Sequence, residues 1–277
     1  MQTNVTAVQK NQEVSALLAI PDSRIIAGGT SFSPEEKNRL QLIDISTLQG
    51  LDGIKQKGNR IEIGPLAPLS KLADSSLLNT YIPALAEAAA AVTPAEIREQ
   101  GTLGGNLAGE SIGDTAAALL GSGAKLTIKT GTDFREILID RFWTQDGKPD
   151  LQYDEWIMRI TLQMPKEPRW GAAFGKSGKW GQAESLDASA AVRLCIDEND
   201  LITGIHGALR LGTNLVFRMF PLEKALKNQI ACDEAFWEAA AAMAGTLKGK
   251  TAGADLSGLL TDVLQRSFSM ASERRML

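Results

Sequence analysis

The sequence predicts an α+β fold in two parts, a larger one over residues 1–166 and a smaller one over residues 167–277. In the first part, short apolar runs typical of strands alternate with alanine-rich segments of helical spacing. In the second, two long alternating segments precede three helical segments, which predicts an antiparallel sheet with helices to one side. The stretch PKEPRWG between the two patterns marks the boundary.

The elements of the first part follow from apolar runs and the glycines and prolines that bound them. RIIA (residues 24–27), LIDIS (42–46) and RIEIG (60–64) predict short strands, and helical spacing begins at Pro65. The next helix begins at Pro83, where a missing N–H costs little, and ends before Pro94. AKLTIKT and FREILI flank TGTD, which predicts a hairpin, and residues 155–164 form one long strand.

The second part contains one clear strand pair and three helices. LDASAAVRLCIDENDLITGIHGALRLG predicts two antiparallel strands that turn at residues 197–200, in a sheet that begins near Phe174. PLEKALKNQ, DEAFWEAAAAMAGTLKG and residues 256–274 predict helices.

Composition excludes several classes of function. The chain has 277 residues and a net charge of -4, which gives no electrostatic reason to expect nucleic acid or an anionic membrane as partner. No apolar run approaches the roughly 20 residues of a membrane span. The N-terminal segment lacks the basic and apolar regions of a signal peptide, so we expect a cytoplasmic protein.

Cysteine and histidine are too few for most metal or nucleophilic sites. Cys195 and Cys232 lack CxxC spacing, cannot supply the four thiolates that a 2Fe-2S cluster usually needs, and are expected to be buried free thiols. His206 is the only histidine, so a catalytic triad or a multi-histidine zinc site lacks material. We expect it to be a hydrogen-bonded or exposed residue of its strand.

Two glycine-rich segments form the candidate binding site. AGGTS (27–31) follows a predicted strand, and REQGTLGGNLAGESIGD (98–114), interpreted as a second loop, follows the alanine-rich helix. Glycine lets the main chain approach a flat or anionic ligand, and successive N–H groups bind phosphate without a charged side chain. Thr30, Ser31 and Thr102 add hydroxyl donors.

Other interpretations of these segments stay open. Neither is GxGxxG or GxxxxGK[ST], which disfavours the nicotinamide fold and the P-loop. Each one alone is also consistent with a tight turn between packed elements. Asp114 precedes TAAALL, so it is either a helix N-cap or a carboxylate that accepts hydrogen bonds from sugar or ribityl hydroxyls.

The order of the motifs resembles a known family. AGGTSFSP, LIDIS, RIEIGPLAPLSKL, IPALAEAA and IREQGTLGGNLA follow one another as in the FAD-binding medium subunits of molybdenum hydroxylases. That family includes the flavin subunits of bacterial xanthine dehydrogenase and aerobic carbon monoxide dehydrogenase. AAFGKSGKW and IHGALRLGTNLVFRMFPLEKAL are similar to its C-terminal domain. The resemblance implies a two-lobed FAD-binding domain of the PCMH type, similar to vanillyl-alcohol oxidase, and a C-terminal α+β domain.

The resemblance also implies which residues hold FAD. The first loop is expected to wrap the diphosphate with Ile26, Ala27, Gly28, Gly29, Thr30 and Ser31, flanked by Ile25, Phe32 and Ser33. The second motif approaches the flavin and the diphosphate with Thr102, Leu103, Gly104, Gly105 and Asn106. Further positions that match the family are Val92, Asp114 on ribityl or ribose hydroxyls, Ile157 against the adenine or flavin, and Lys176 near the flavin. A cation there stabilises negative charge on the reduced ring, although a solvated surface lysine is the alternative.

Three departures from the family concern the flavin's surroundings. The segment between the GGN motif and Asp114 is shorter than usual, and Glu99 stands where the family often has asparagine. Lys179 and Trp180 replace the family's arginine pair, at the edge where an electron acceptor would dock.

The resemblance predicts an electron-transfer flavoprotein and leaves two alternatives. The leading hypothesis is the FAD subunit of a heterotrimeric molybdenum hydroxylase, with an iron-sulfur subunit and a molybdopterin-containing large subunit as partners. Electrons would arrive from the partner's 2Fe-2S cluster and leave to NAD or another acceptor, and no catalytic side chain or metal is required of this chain. The alternatives are a stand-alone FAD-dependent oxidoreductase and a non-enzymatic scaffold subunit that has lost its flavin.

Overall fold

The computed structural model describes residues 5–33, 35, 37, 40–177, 187–247 and 255–274. The strands are β1 (Val5–Ala7), β2 (Ser23–Ile26), β3 (Gln41–Asp44), β4 (Ile54–Lys57), β5 (Arg60–Ile63), β6 (Lys125–Thr130), β7 (Asp133–Leu138), β8 (Glu155–Gln163), β9 (Trp170–Ser177), β10 (Ala188–Ile196), β11 (Ile202–Leu211) and β12 (Leu215–Arg218). The helices are α1 (Asn11–Leu18), α2 (Leu69–Ala73), α3 (Ser76–Tyr81), α4 (Pro83–Ala90), α5 (Ala95–Gln100), α6 (Leu103–Ala108), α7 (Thr115–Gly121), α8 (Phe220–Leu226), α9 (Asp233–Gly245) and α10 (Leu256–Glu273), with a 3₁₀ turn at Ile139–Arg141. These elements confirm the predicted α+β class.

A small parallel sheet forms the first lobe. Its strand order is β1-β3-β2, so β2 is an edge strand that pairs only with β3 within this sheet. The strands predicted at RIIA and LIDIS are confirmed as β2 and β3, whereas β1 and α1 were not predicted. Val14 of α1 and Ile43 of β3 are fully buried in the core of this lobe.

An antiparallel sheet of five strands forms the second lobe, in the order β4-β5-β8-β6-β7. The predicted β6–β7 hairpin and the long strand β8 are confirmed. Successive side chains of a strand point to opposite faces. On β8, Trp156 therefore packs into the core of the first lobe, while Ile157 packs into the core of the second.

The second glycine-rich segment is more helical than predicted. Residues 98–114 contain the end of α5 and all of α6, so the interpretation as a loop was wrong. Thr102 is the N-cap of α6, and its hydroxyl oxygen accepts a hydrogen bond from the Gly105 N–H at 3.2 Å. A Cβ on Gly104 would lie 2.9 Å from Cβ of Pro65, so this helical position needs glycine for packing.

The helix predicted to begin at Pro65 begins instead at Leu69 and is divided into α2 and α3. The four preceding residues bond elsewhere: the Leu66 N–H donates to the carbonyl of Leu51, and Pro68 bridges to Thr102. These bonds tie the start of α2 to both the first lobe and α6.

The last four strands form an antiparallel sheet in the order β12-β11-β10-β9, with α8, α9 and α10 packed on one face. The other face lies against α4 and α7. Small residues allow this close approach, because a Cβ on Gly121 of α7 would lie 3.1 Å from the carbonyl oxygen of Ala191. Cys195 is buried in this sheet as expected, but Cys232 is exposed, so the expectation for it was wrong.

Within the part of the chain that the structure describes, no helix combines the length and apolar character needed to cross a membrane.

Candidate cofactor site

The two glycine-rich segments pack directly against each other. A Cβ on Gly28 would lie 2.7 Å from the carbonyl carbon of Gln100, which is closer than real Cβ atoms come to backbone. A Cβ on Gly109 would lie 3.3 Å from Oγ of Ser31. Glycine is therefore needed at position 28 so that the second segment can pack against the first. The two segments together form one unit.

A cleft with a volume of about 610 Å³ runs along this unit, within the roughly 300–1,000 Å³ typical of small-molecule sites. Eleven residues proposed from the resemblance line it: Ile25, Ala27, Gly28, Gly29, Thr30, Ser31, Phe32, Thr102, Gly104, Gly105 and Ile157. The structure thus brings together residues up to 132 positions apart (157 minus 25).

The glycines of the cleft differ in what they allow. Gly29 has φ of +66°, a left-handed conformation that side chains rarely adopt, and a Cβ there would approach Cδ1 of Ile26 at 3.2 Å. Gly105 is exposed, and the nearest atom to a Cβ on it is Oγ1 of Thr102 at 3.2 Å. Gly29 is therefore required by backbone geometry, whereas Gly105 leaves open space beside the cleft.

The walls combine apolar surface with backbone polar groups. Ile45, Leu66 and Ile157 contribute apolar surface, and the edge strand β2 lines the cleft with residues 23–25. Because β2 pairs on one side only, its other side offers backbone N–H and C=O groups. Such a wall suits a flat ligand that carries both ring surface and hydrogen-bonding edges.

Seven residues proposed for the cofactor or its flanks do not line the cleft: Ile26, Ser33, Val92, Leu103, Asn106, Asp114 and Lys176. Leu103 is fully buried and Val92 is 9% exposed, both in the core of the second lobe. Asn106 supports the local turn, because its Oδ1 accepts a hydrogen bond from the Thr115 N–H at 3.2 Å.

Asp114 and Lys176 contact each other. The Lys176 Nζ lies 2.8 Å from Oδ2 of Asp114, and Arg210 Nη2 lies 2.7 Å from the other carboxylate oxygen. Asp114 occupies the N-cap position of α7, but its side chain makes no capping hydrogen bond. The N-cap alternative for Asp114 was therefore wrong, since its carboxylate pairs with two cations, while its contact with sugar or ribityl hydroxyls stays a prediction.

Sequence reasoning missed several residues of the cleft. Asp146, Lys148, Tyr153 and Asn214 line it, and Tyr153 is 75% exposed at its rim. No periodic pattern identifies these residues in the sequence, because they lie in loops. Arg210, which does not line the cleft, was also missed. It could have been found, since an arginine between two leucines of an apolar strand predicts a buried charge that needs a partner.

One acidic residue of the cleft wall is held by a cation. Arg135 donates to Glu155 at 2.7 and 2.6 Å, and this hydrogen bonding lowers the pKa of the Glu155 carboxyl. Glu155 is therefore a structural anion.

His206 lies apart from the cleft lining. It is half-buried, and its Nδ1 has no hydrogen-bond partner among the described residues, so the expected hydrogen-bonded or exposed histidine is not found. Burial lowers its pKa, with Arg218 and Arg193 acting in the same direction. Across the described residues, no group of three or more His, Cys, Asp or Glu side chains is placed to hold a metal ion.

Comparison with known proteins places the chain in a characterised family. Residues 1–165 match the family described as the FAD binding domain in molybdopterin dehydrogenase. The xanthine dehydrogenase FAD-binding subunit of Escherichia coli O157:H7 is 28% identical over 267 residues, which cover 94% of this chain and 85% of that protein.

Two medium subunits are similar over a shorter span. The carbon monoxide dehydrogenase medium chain of Hydrogenophaga pseudoflava is 34% identical over 175 residues, 58% of this chain and 59% of that one. The nicotine 6-hydroxylase medium subunit of Paenarthrobacter nicotinovorans is 29% identical over 170 residues, 58% of this chain and 59% of its own length, less than two thirds.

A solved structure has the same fold. A chain of carbon monoxide dehydrogenase from Hydrogenophaga pseudoflava superposes with a TM-score of 0.83 and 24% identity, over 99% of this chain and 98% of that one.

Proposed function

Because the chain belongs to the family of FAD-binding domains of molybdopterin dehydrogenases, we propose that it is the electron-transfer subunit of a multi-subunit molybdenum hydroxylase. Electrons enter from a 2Fe-2S cluster on a partner chain and leave to NAD or another acceptor. Molybdopterin and substrate belong to a large subunit, so this chain does not act on substrate alone. The division into residues 1–166 and 167–277, and a cytoplasmic location, are parts of the same proposal.

The observation that carries the proposal is the pair of interlocked glycine-rich segments on one cleft. A cofactor with a diphosphate and two ring systems needs backbone donors at its centre and apolar walls at its ends. The cleft offers Gly28, Gly29 and Gly105 with the hydroxyls of Thr30 and Ser31, and apolar walls besides. The residues present therefore fit FAD.

The residues have separate tasks in this proposal. Backbone N–H groups of Gly28 and Gly29 bind the diphosphate, the hydroxyls of Thr30 and Ser31 add donors, and Gly105, whose N–H is used by Thr102, leaves room for the diphosphate. Ile157 contacts a ring at one wall, while Lys176 and Asp114 act from outside the cleft lining. FAD supplies the redox chemistry when it is bound, and the protein positions and tunes it.

The iron-sulfur and molybdenum centres are assigned to partner chains. Cys195 and Cys232, the only cysteines of the chain, are too few for a 2Fe-2S cluster. The relatives' names, medium subunit and medium chain, agree with a chain that works in a larger assembly.

The test is to purify the chain alone and with co-expressed candidate partners, and to record the visible spectrum of each preparation. We expect flavin absorption, together with co-purification of an iron-sulfur and a molybdenum polypeptide. Flavin without any partner would instead support a stand-alone oxidoreductase. No flavin in either preparation, even after incubation with FAD, would contradict both and support a scaffold subunit.

A further inference from the structure

Four charged side chains meet where α7 begins and where β9, β10 and β11 lie side by side. Arg210 Nη2 contacts Asp114 at 2.7 Å and Asp187 at 2.9 Å. Lys176 Nζ contacts the same two carboxylates, at 2.8 and 3.6 Å. This charge cluster (Asp114, Lys176, Asp187 and Arg210) therefore holds two anions and two cations and has no net charge.

Arg210 is the most buried member of the charge cluster. Its side chain is 3% exposed, whereas those of Lys176 and Asp187 are 21% and 40% exposed. Two further donors bind Oγ of Ser189 at 3.0 Å and the carbonyl oxygen of Gly212. A guanidinium so far from water is stable only when its charge and its donors are all paired, so its position is closely fixed.

The charge cluster adjoins the cleft on two sides. Asp114 follows Gly113, whose N–H donates to the carbonyl of Asn106 at 3.0 Å, next to the cleft residue Gly105. On the other side, Arg210 holds the turn at Gly212 that leads to the cleft residue Asn214.

We propose that Arg210 is a positioning residue for the flavin: by neutralising Asp114, it keeps the charge cluster beside the cleft free of the net negative charge that would oppose reduction of the cofactor. This inference rests on the proposed FAD site. With Arg210 present, each carboxylate has a cation partner. Without Arg210, the charge cluster has a net charge of -1, and Asp114 and Asp187 together outweigh the single ammonium group.

The sign of the effect follows from charge. Reduction adds electrons to the flavin, so a more negative surrounding disfavours the reduced form, and a more positive one favours it. Buried charges are screened by salt much less than exposed ones, and Asp114 and Arg210 are both buried. Arg210 therefore raises the midpoint potential of the flavin.

The experiment measures the flavin midpoint potential of the full chain by equilibration with redox dyes, after FAD loading. We expect R210Q to shift the potential to more negative values and D187N to shift it to more positive values. R210K keeps the charge and is expected to return most of the shift. Each variant is loaded with FAD and its flavin content checked by absorbance first.

The matched control is Arg169, a second buried arginine just before β9, which pairs at 2.6 Å with Asp200 in the turn between β10 and β11. R169Q is expected to lower stability but to leave the potential unchanged. Unchanged potentials in both R210Q and D187N would overturn the inference. Shifts of both potentials in the same direction would overturn it too, because a general loss of structure around the flavin would shift both potentials alike, whatever the sign of the charge removed. Failure of the unsubstituted chain to bind FAD would instead contradict the proposed function.

Discussion

Substitution of Gly28 by alanine should break the contact between the two glycine-rich segments. The new Cβ would lie 2.7 Å from the carbonyl carbon of Gln100, where an ordinary carbon contact is about 3.5–4.0 Å. The carbonyl oxygen of Gln100 lies closer still, so the deficit exceeds about 1 Å and must be met by backbone movement, because neither side has a rotamer to change. Overpacking of this kind costs about 1–3 kcal/mol, so we expect G28A to lower the free energy of unfolding by about 2 kcal/mol.

Gly105→Ala is the contrasting substitution. The nearest atom to its Cβ is Oγ1 of Thr102 at 3.2 Å, and glycine is a poor helix former, so the stability of the FAD-free chain should be unchanged or slightly higher. The methyl group would instead stand where the diphosphate approaches. A hydrogen bond to a charged group contributes about 1.5–3 kcal/mol, so loss of one predicts FAD binding weaker by about tenfold or more.

The assay pairs urea unfolding of the FAD-free chain, followed by circular dichroism, with titration by FAD, followed by flavin fluorescence. Gly245→Ala is the control, because it is exposed at the end of α9 and a Cβ there meets no atom within 4 Å. G28A should lower both the free energy of unfolding and the affinity for FAD, G105A should lower only the affinity for FAD, and G245A should change neither. Normal FAD binding by G105A would refute the placement of the diphosphate, and normal stability of G28A would refute the role of Gly28 in packing.

Three further predictions concern single residues. Thr102→Ala removes the hydroxyl that accepts a hydrogen bond from the Gly105 N–H at 3.2 Å. It should lower the free energy of unfolding, measured in urea, by about 1 kcal/mol, whereas Thr102→Ser should not. Equal losses in the two variants would contradict the role of Thr102 as N-cap. Burial lowers the pKa of His206 below 6.5, so its contribution to stability is present above pH 6.5 and is lost as the pH falls through the pKa of the folded state. His206→Gln should therefore flatten the pH dependence of the free energy of unfolding below pH 6.5. An unchanged slope would contradict a lowered His206 pKa. The pKa of the buried Cys195 thiol is raised to about 11, mainly by burial, while Cys232 is exposed. A thiol reagent at neutral pH should therefore label one cysteine in the native chain and two after unfolding. Rapid labelling of both cysteines in the native chain would contradict the burial of Cys195.

The sequence predicted the parts of the site that depend on local chain chemistry. Glycine pairs after an apolar strand and within GTLGGN indicated close backbone approach, and both lie on one cleft. The family resemblance put Ile157 against a ring of the cofactor, and Ile157 lines the cleft. Such features are visible because each is determined by a few consecutive residues.

The helical state of α6 could not be predicted, because glycine at two adjacent positions of a six-residue segment would normally disfavour a helix. Tertiary packing overrides this preference. Leu103 and Leu107 are fully buried, and Pro65 lies so close to Gly104 that only a residue without a side chain fits.

The partners of Asp114 were also beyond the sequence. Asp114 and Arg210 are 96 residues apart, and nothing in either local segment indicates the other. A buried arginine needs an anion, but which anion it meets depends on how β11 packs against α7. Long-range pairing of charges is set by the fold as a whole.

Hydrogen–deuterium exchange of the full chain with and without FAD tests the central claim most directly. The account predicts that backbone amides of residues 28–32 and 102–106 gain protection together on FAD binding, because both segments line one cleft. Residues 215–218, which border a second cavity of about 430 Å³ and do not line the cleft, should change little. Protection of only one glycine-rich segment, or of residues 215–218 instead, would contradict a single FAD site built from both.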